Sequence, residues 1–106
     1  MELNKIKTYI NFAIRSGAII YGVDDIVKSK LVKLIVVSDT LSENSKQKLE
    51  KYIINKKVEK LEIKKEIFNE LLQNESIKIF AITDANLAKA VNVNLLAIVS
   101  NGGNLE

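Results

Sequence analysis

Apolar residues in the first segment, Leu3, Ile6, Ile10, Ala13 and Ile14, recur at three- and four-residue intervals. That spacing predicts an amphipathic helix, with Ser16-Gly17 as its stop. Ala18-Ile19-Ile20-Tyr21 is a short apolar run rich in β-branched residues and reads as a strand. Gly22 breaks it, and Val23 to Lys28 follows as a short helix with Asp24 and Asp25 in its first turn. Leu31 to Val37 is almost continuously apolar, the pattern of a strand buried on both faces, and ends at Ser38-Asp39. Ser42 is placed to cap a third helix whose inner stripe is Leu49, Tyr52 and Ile53. Val58 to Ile63 mixes apolar residues with charge and predicts a weak edge strand. Lys64 to Gln73 puts Ile67, Phe68, Leu71 and Leu72 on one helical face. Ile77 to Ile82 is the second buried strand, and Thr83-Asp84 leads into a helix from Ala85 to Val91. Leu95 to Val99 reads as one more strand or a packed tail, and residues 101–106 as a flexible end, with Leu105-Glu106 open to being a cloning remnant.

Helix first, then strand and helix in alternation, argues for an α/β layered sandwich with a central, partly parallel sheet. Residues 1–100 form one domain on this pattern. The stretches LIVVSDTL (Leu34 to Leu41) and IFAITDANL (Ile79 to Leu87) share a logic, each running from buried strand through Ser/Thr-Asp into a helix. In open α/β sheets ligands gather where strands end and helices begin. The turns at Gly22, Ser38-Asp39 and Thr83-Asp84 are therefore expected at one common edge.

Composition removes whole chemistries. The 106 residues include no Cys, His, Trp or Pro. Disulfides, zinc sites of the usual nitrogen and sulfur ligands, thiolate nucleophiles and Ser-His-Asp triads are excluded. A chain of this length with 47% hydrophobic residues can build a core unaided. Its apolar runs fall well short of the ~18 residues of a membrane span. Glu2 and Asn4 interrupt the start in a way that does not fit a signal peptide, so a cytoplasmic protein without a membrane partner is expected.

The net charge is +3, from 16 Lys+Arg and 13 Asp+Glu. Lys outnumbers Arg 15 to 1, a bias that AT-rich coding produces without selection on function. The distribution is more telling, because residues 1–65 hold 14 basic and 8 acidic side chains while residues 66–106 hold 2 and 5. A polarised molecule offers phosphate a positive surface better than its net charge suggests.

Gly22-Val23-Asp24-Asp25-Ile26-Val27-Lys28 is the most informative window. Glycine permits close backbone approach, helix-start N–H groups can meet phosphate oxygen, and Lys28 supplies a cation one turn on. First-turn Asp is also what the helix dipole favours with no ligand involved. Asp39 and Asp84 could act as a carboxylate pair, but Asp after Ser/Thr at a strand end commonly caps the next helix. No GxxxxGK or GxGxxG occurs, and Tyr9, Phe12, Tyr21, Tyr52, Phe68 and Phe80 form no stacking motif.

The ordered set Asn11-Phe12-Ala13-Ile14-Arg15-Ser16-Gly17, Gly22-x-Asp24-Asp25-x-x-Lys28, Lys33 to Asp39 with Glu43-Asn44, and Phe80 to Asp84 resembles the kink-turn-binding ribosomal protein superfamily. That group includes the archaeal "seven-Ae" and eukaryotic "thirty-e" large-subunit proteins, and the likeness is strongest to the small bacterial YlxQ-like proteins. The resemblance implies a three-layer α-β-α sandwich with about four strands in a mixed sheet. It also implies a non-catalytic protein that binds structured RNA, ribosomal RNA included, in a ribosome or translation setting, with no cofactor, metal or catalytic residue. The family signature Gly-x-Asn-Glu-x-x-Lys falls on Gly22, Asp24, Asp25 and Lys28. The second contact loop falls on Ile82, Thr83, Asp84, Ala85 and Asn86.

This chain departs from the pattern at Asp24 and Asp25, at Ala18 where a Lys is often found, and in a shortened stretch between Gly22 and Leu34. Asp24 cannot donate to guanine O6, and each lost donor costs ~1–3 kcal/mol of discrimination. Two other functions are weighed, the second fitting less well because a receiver begins with a strand where this chain has an amphipathic helix. One keeps the fold as a protein-protein interaction module. The other is a receiver-like phosphoacceptor domain using Asp24, Asp25 and Asp39 with Thr83 and Lys89.

Overall fold

The computed structural model describes residues 2–100. Helix α1 (Glu2–Ser16) is followed by β1 (Ile19–Tyr21), α2 (Val23–Lys28), β2 (Leu34–Ser38), α3 (Glu43–Lys56), β3 (Glu59–Ile63), α4 (Lys65–Leu72), β4 (Ile79–Ile82) and α5 (Ala85–Ser100). The sheet is ordered β1-β4-β2-β3. β2 and β3 are parallel, and β4 runs antiparallel to both β1 and β2. β3 takes the expected edge position.

The period of two along the strands divides the core. Leu34 and Val36 of β2, with Phe80 and Ile82 of β4, join α1, α4 and α5 in one cluster. Ile35 and Val37, with Ile79 and Ala81, join α2 and α3 in the other. All five residues of β2 and all four of β4 are buried, which is why both read as continuous apolar runs. The result is a three-layer α/β sandwich. β3 shows a half-buried alternation: Leu61 and Ile63 pack inward, while Lys60 on the other face reaches Glu50 of α3 at 2.9 Å.

Local chemistry sets the boundaries. Ser42 accepts from the Ser45 N–H and starts α3, and Asp84 Oδ1 accepts from the Leu87 N–H at 2.9 Å and starts α5. α3 and α4 end on left-handed residues, Lys57 and Gln73, each at φ 55°. The segment Leu95 to Val99 is neither a strand nor a tail, because α5 continues unbroken to Ser100. Ala88, Val91, Leu95 and Ile98 lie at helical spacing and are all buried in the first cluster. Among the described residues no helix is long and apolar enough to cross a membrane. The flexible end expected at residues 101–106 lies outside the described residues.

A receiver-like domain has a parallel doubly wound sheet of order 2-1-3-4-5. The mixed β1-β4-β2-β3 sheet gives that reading no scaffold.

Candidate nucleic-acid interface

Because β4 runs against its neighbours, the sheet has two unlike ends. The carboxyl ends of β1, β2 and β3 form an upper edge carrying Gly22, Ser38-Asp39 and Lys64. The Gly22 N–H donates to Ile79 O and the Ser38 N–H to Lys78 O, which places the start of β4 at this edge too. The carboxyl end of β4 lies at the lower edge, where the Lys33 N–H donates to Ile82 O and the Thr83 N–H to Ala18 O. The three turns therefore do not share an edge. Thr83-Asp84 lies opposite Gly22 and Ser38-Asp39, since sequence order alone does not reveal that β4 is inserted antiparallel.

This separation divides the residues singled out by the sequence. Gly22, Asp24 and Asp25 are at the upper edge and exposed. Lys28 closes α2, about 9 Å along the helix from Gly22 at 1.5 Å per residue. Ile82 is wholly buried, and Thr83, Asp84, Ala85 and Asn86 open α5 at the lower edge, so they cannot complete a site with Gly22. Asp39 and Asp84 form no carboxylate pair. Asp39 Oδ1 accepts from the Lys65 N–H at 3.1 Å, and Asp84 caps α5 from the other end of the sheet.

The structure brings a different segment to Gly22. Tyr21, Gly22 and Val23, with Leu41, Ser45 and the segment from Ser76 to Ile79, line an open groove of about 310 Å³. Ser76 belongs to a tight turn in which its N–H and hydroxyl both meet Asn74 Oδ1, at 3.1 and 2.7 Å. Asn74 to Ser76 form a polar turn that carries no distinctive sequence signal, and Ile77 and Lys78, expected within the strand, lie just before β4 begins at Ile79. The antiparallel entry of β4 is what delivers it here.

Gly22 is the residue this groove needs. Its φ of 83° and ψ of 142° are disfavoured for side-chain-bearing residues, and a Cβ built there would meet nothing within 4 Å. The backbone is therefore open to close approach by a ligand. Partial burial pushes the Tyr21 phenol above its ordinary pKa, favouring its protonated form. Asp24 is held by Lys48 at 3.3 Å between exposed side chains, which offsets part of its repulsion toward an anion.

The lower edge contains a second cleft of about 240 Å³, between α5 and the starts of β2 and β3, lined by Lys33, Glu59, Ala85, Lys89 and Asn92 among others. The Asn92 Oδ1 is buried without a hydrogen-bond partner among the described residues. Neither edge assembles three or more acidic side chains into a metal-ligand group among the described residues.

No protein-family model matches the sequence, and no curated protein matches it. Among solved structures, the chain is similar to a protein of unknown function from Bacillus halodurans, with a TM-score of 0.73 at 15% identity. The match covers 86% of this chain and 96% of that one. At that identity the likeness establishes the fold alone.

Proposed function

We propose that the protein is a non-catalytic RNA-binding protein that reads a kinked or otherwise unstacked RNA segment at the upper edge, in a ribosome or translation setting. The observation that carries this is the groove beside Gly22. Its volume is at the small end of ligand sites, about 300–1,000 Å³, and suits a single planar base turned out of a helix. Tyr21 offers an aromatic surface that is 37% exposed, Ser45 and Ser76 offer hydroxyls for base edges, and Lys78 offers a cation for the adjoining phosphate. Gly22 allows the sugar-phosphate chain to lie against the backbone. RNA recognition works through such splayed bases, since the A-form major groove is too narrow for side chains to read.

The test compares a kink-turn duplex containing tandem G·A pairs with the same duplex lacking them, at physiological salt. Preferential binding to the kinked RNA, reduced by Tyr21→Ala and by Lys78→Ala, is expected. Equal binding to both duplexes would overturn kink recognition. Asp24→Asn should tighten the kinked complex, because it removes a negative charge at the rim and restores a donor.

A protein-interaction module on the same fold is the second reading. It is favoured by the outward face of α5, where Val93 is 58% exposed and Leu96 and Val99 are each 41% exposed. Co-purification of a protein partner that survives nuclease treatment and is lost on Val93→Asp would favour it.

A further inference from the structure

Two sets of lysines contrast in this chain, and Lys5, Lys51, Lys64, Lys65 and Lys78 belong to neither. Lys7, Lys46, Lys48 and Lys60 each pair with a carboxylate, at 2.7 to 3.9 Å. Lys28, Lys30, Lys33, Lys56, Lys57 and Lys89 are all exposed and have no ion pair among the described residues.

Topology gathers the second group. Lys28 and Lys30 flank Ser29, whose carbonyl accepts from Tyr52 OH low on α3, in the segment that descends from α2 to Lys33. Lys33 precedes β2 and donates its N–H to Ile82 O. Lys56 and Lys57 end α3 just before Glu59, which is in register with Leu34. Lys89 lies one turn into α5 and shares the lower cleft with Lys33. Three separate segments thus deliver their unpaired cations to the lower half of the molecule. Among the described residues Glu59 and Asp84 are acids at this edge, and Asp84 is engaged in capping α5. The upper edge mixes both signs, with Asp24, Asp25, Asp39 and Glu43 beside Lys46, Lys48, Lys64, Lys65 and Lys78.

Resting on RNA as the partner proposed above, we infer that this lysine edge is a backbone-phosphate surface that holds a second RNA segment, away from the groove at Gly22. Lysine is a flexible point charge without the bidentate geometry that reads bases, so contacts here set affinity and salt dependence and carry no sequence preference. β2 alone separates the two edges by about 17 Å, at 3.3–3.4 Å per residue. One protein therefore spans two RNA segments, reading one by shape and gripping the other by charge.

The experiment measures binding of the full chain to a plain RNA duplex across a salt series. It compares the wild type with two triple variants that lower net charge equally. One is Lys33→Ala, Lys56→Ala, Lys89→Ala at the lower edge, and the other is Lys7→Ala, Lys46→Ala, Lys60→Ala among the paired lysines. The lower-edge variant should reduce the slope of log affinity against log salt by about three, one per lysine, and weaken binding at least ~10-fold. The paired-lysine variant should retain near wild-type slope, and circular dichroism should show both variants folded. Absence of binding to the plain duplex at low salt, or equal loss in the two variants, would overturn the inference. Kink recognition is judged separately by the difference between kinked and plain RNA: if the lower-edge loss is seen while the two RNAs bind alike, only the upper-groove reading falls.

Discussion

Gly22 and Tyr52 show how single positions tie local geometry to measurable behaviour. The backbone at Gly22 is costly for any residue with a Cβ, yet space around it is open, so Gly22→Ala incurs backbone strain without a clash. A loss of ~1–3 kcal/mol of unfolding free energy is expected in urea titration, with an unchanged slope. Tyr52 is buried and donates to Ser29 O at 3.0 Å, and burial raises its pKa above the ordinary value, as it does for Tyr21. The unfolded tyrosines therefore release their protons first. Their contribution to stability is constant below about pH 10 and is lost as pH rises above that value. Urea midpoints measured from pH 8 to beyond pH 10 should fall less steeply for Tyr52→Phe than for the wild type. At neutral pH that variant should be less stable by ~1–3 kcal/mol, since it leaves the Ser29 carbonyl without its donor.

At the scale of elements, the informative cases are helix ends and α5. α3 and α4 both terminate on non-glycine residues in the left-handed region, Lys57 and Gln73, where a Cβ crowds the following carbonyl. Gln73→Gly and Lys57→Gly should each raise stability by about 1 kcal/mol, read as a higher urea midpoint; a decrease would show that the side chains contribute packing that outweighs the strain. α5 shows why an apolar run can mislead. Leu95-Leu96-Ala97-Ile98-Val99 looks like a strand because its outward positions are apolar as well as its inward ones. The 88, 91, 95, 98 spacing and the lack of any Gly or Pro between Ala85 and Ser100 were the available signals for a continuous helix. Asn94, a poor residue mid-helix, is accommodated by donating its amide to Ala90 O at 2.7 Å.

For the whole molecule, stability rests on the two layers of side chains that the sheet separates. Phe80 is wholly buried and packs its ring 5.5 Å from that of Phe68, joining β4 to α4. Phe80→Ala should cost ~3–5 kcal/mol, a large part of the ~5–15 kcal/mol typical of a domain. Leu31→Ala, at a side chain 66% exposed, should stay within about 0.5 kcal/mol. Electrostatics is organised along the strand axis instead of along the chain. The excess of basic residues in positions 1–65 does not gather at Gly22; it is spread over paired lysines on the helix and strand surfaces, a set at the lower edge, and others such as Lys5, Lys51 and Lys65 elsewhere.

What the sequence determined by itself was local. Periods of two and 3.6 residues marked the buried strands, most helices and the edge placement of β3, because burial and backbone geometry impose those periods on neighbouring side chains. Ser42, Asp84 and Gly22 marked their turns for the same short-range reason. The sheet order, the reversed direction of β4 and the partners of each turn are long-range facts, set by which strands pair, and no local pattern encodes that choice. They decided that Gly22 meets Ser76 to Lys78 instead of Ile82 to Asn86, and that six unpaired lysines share one end of the fold.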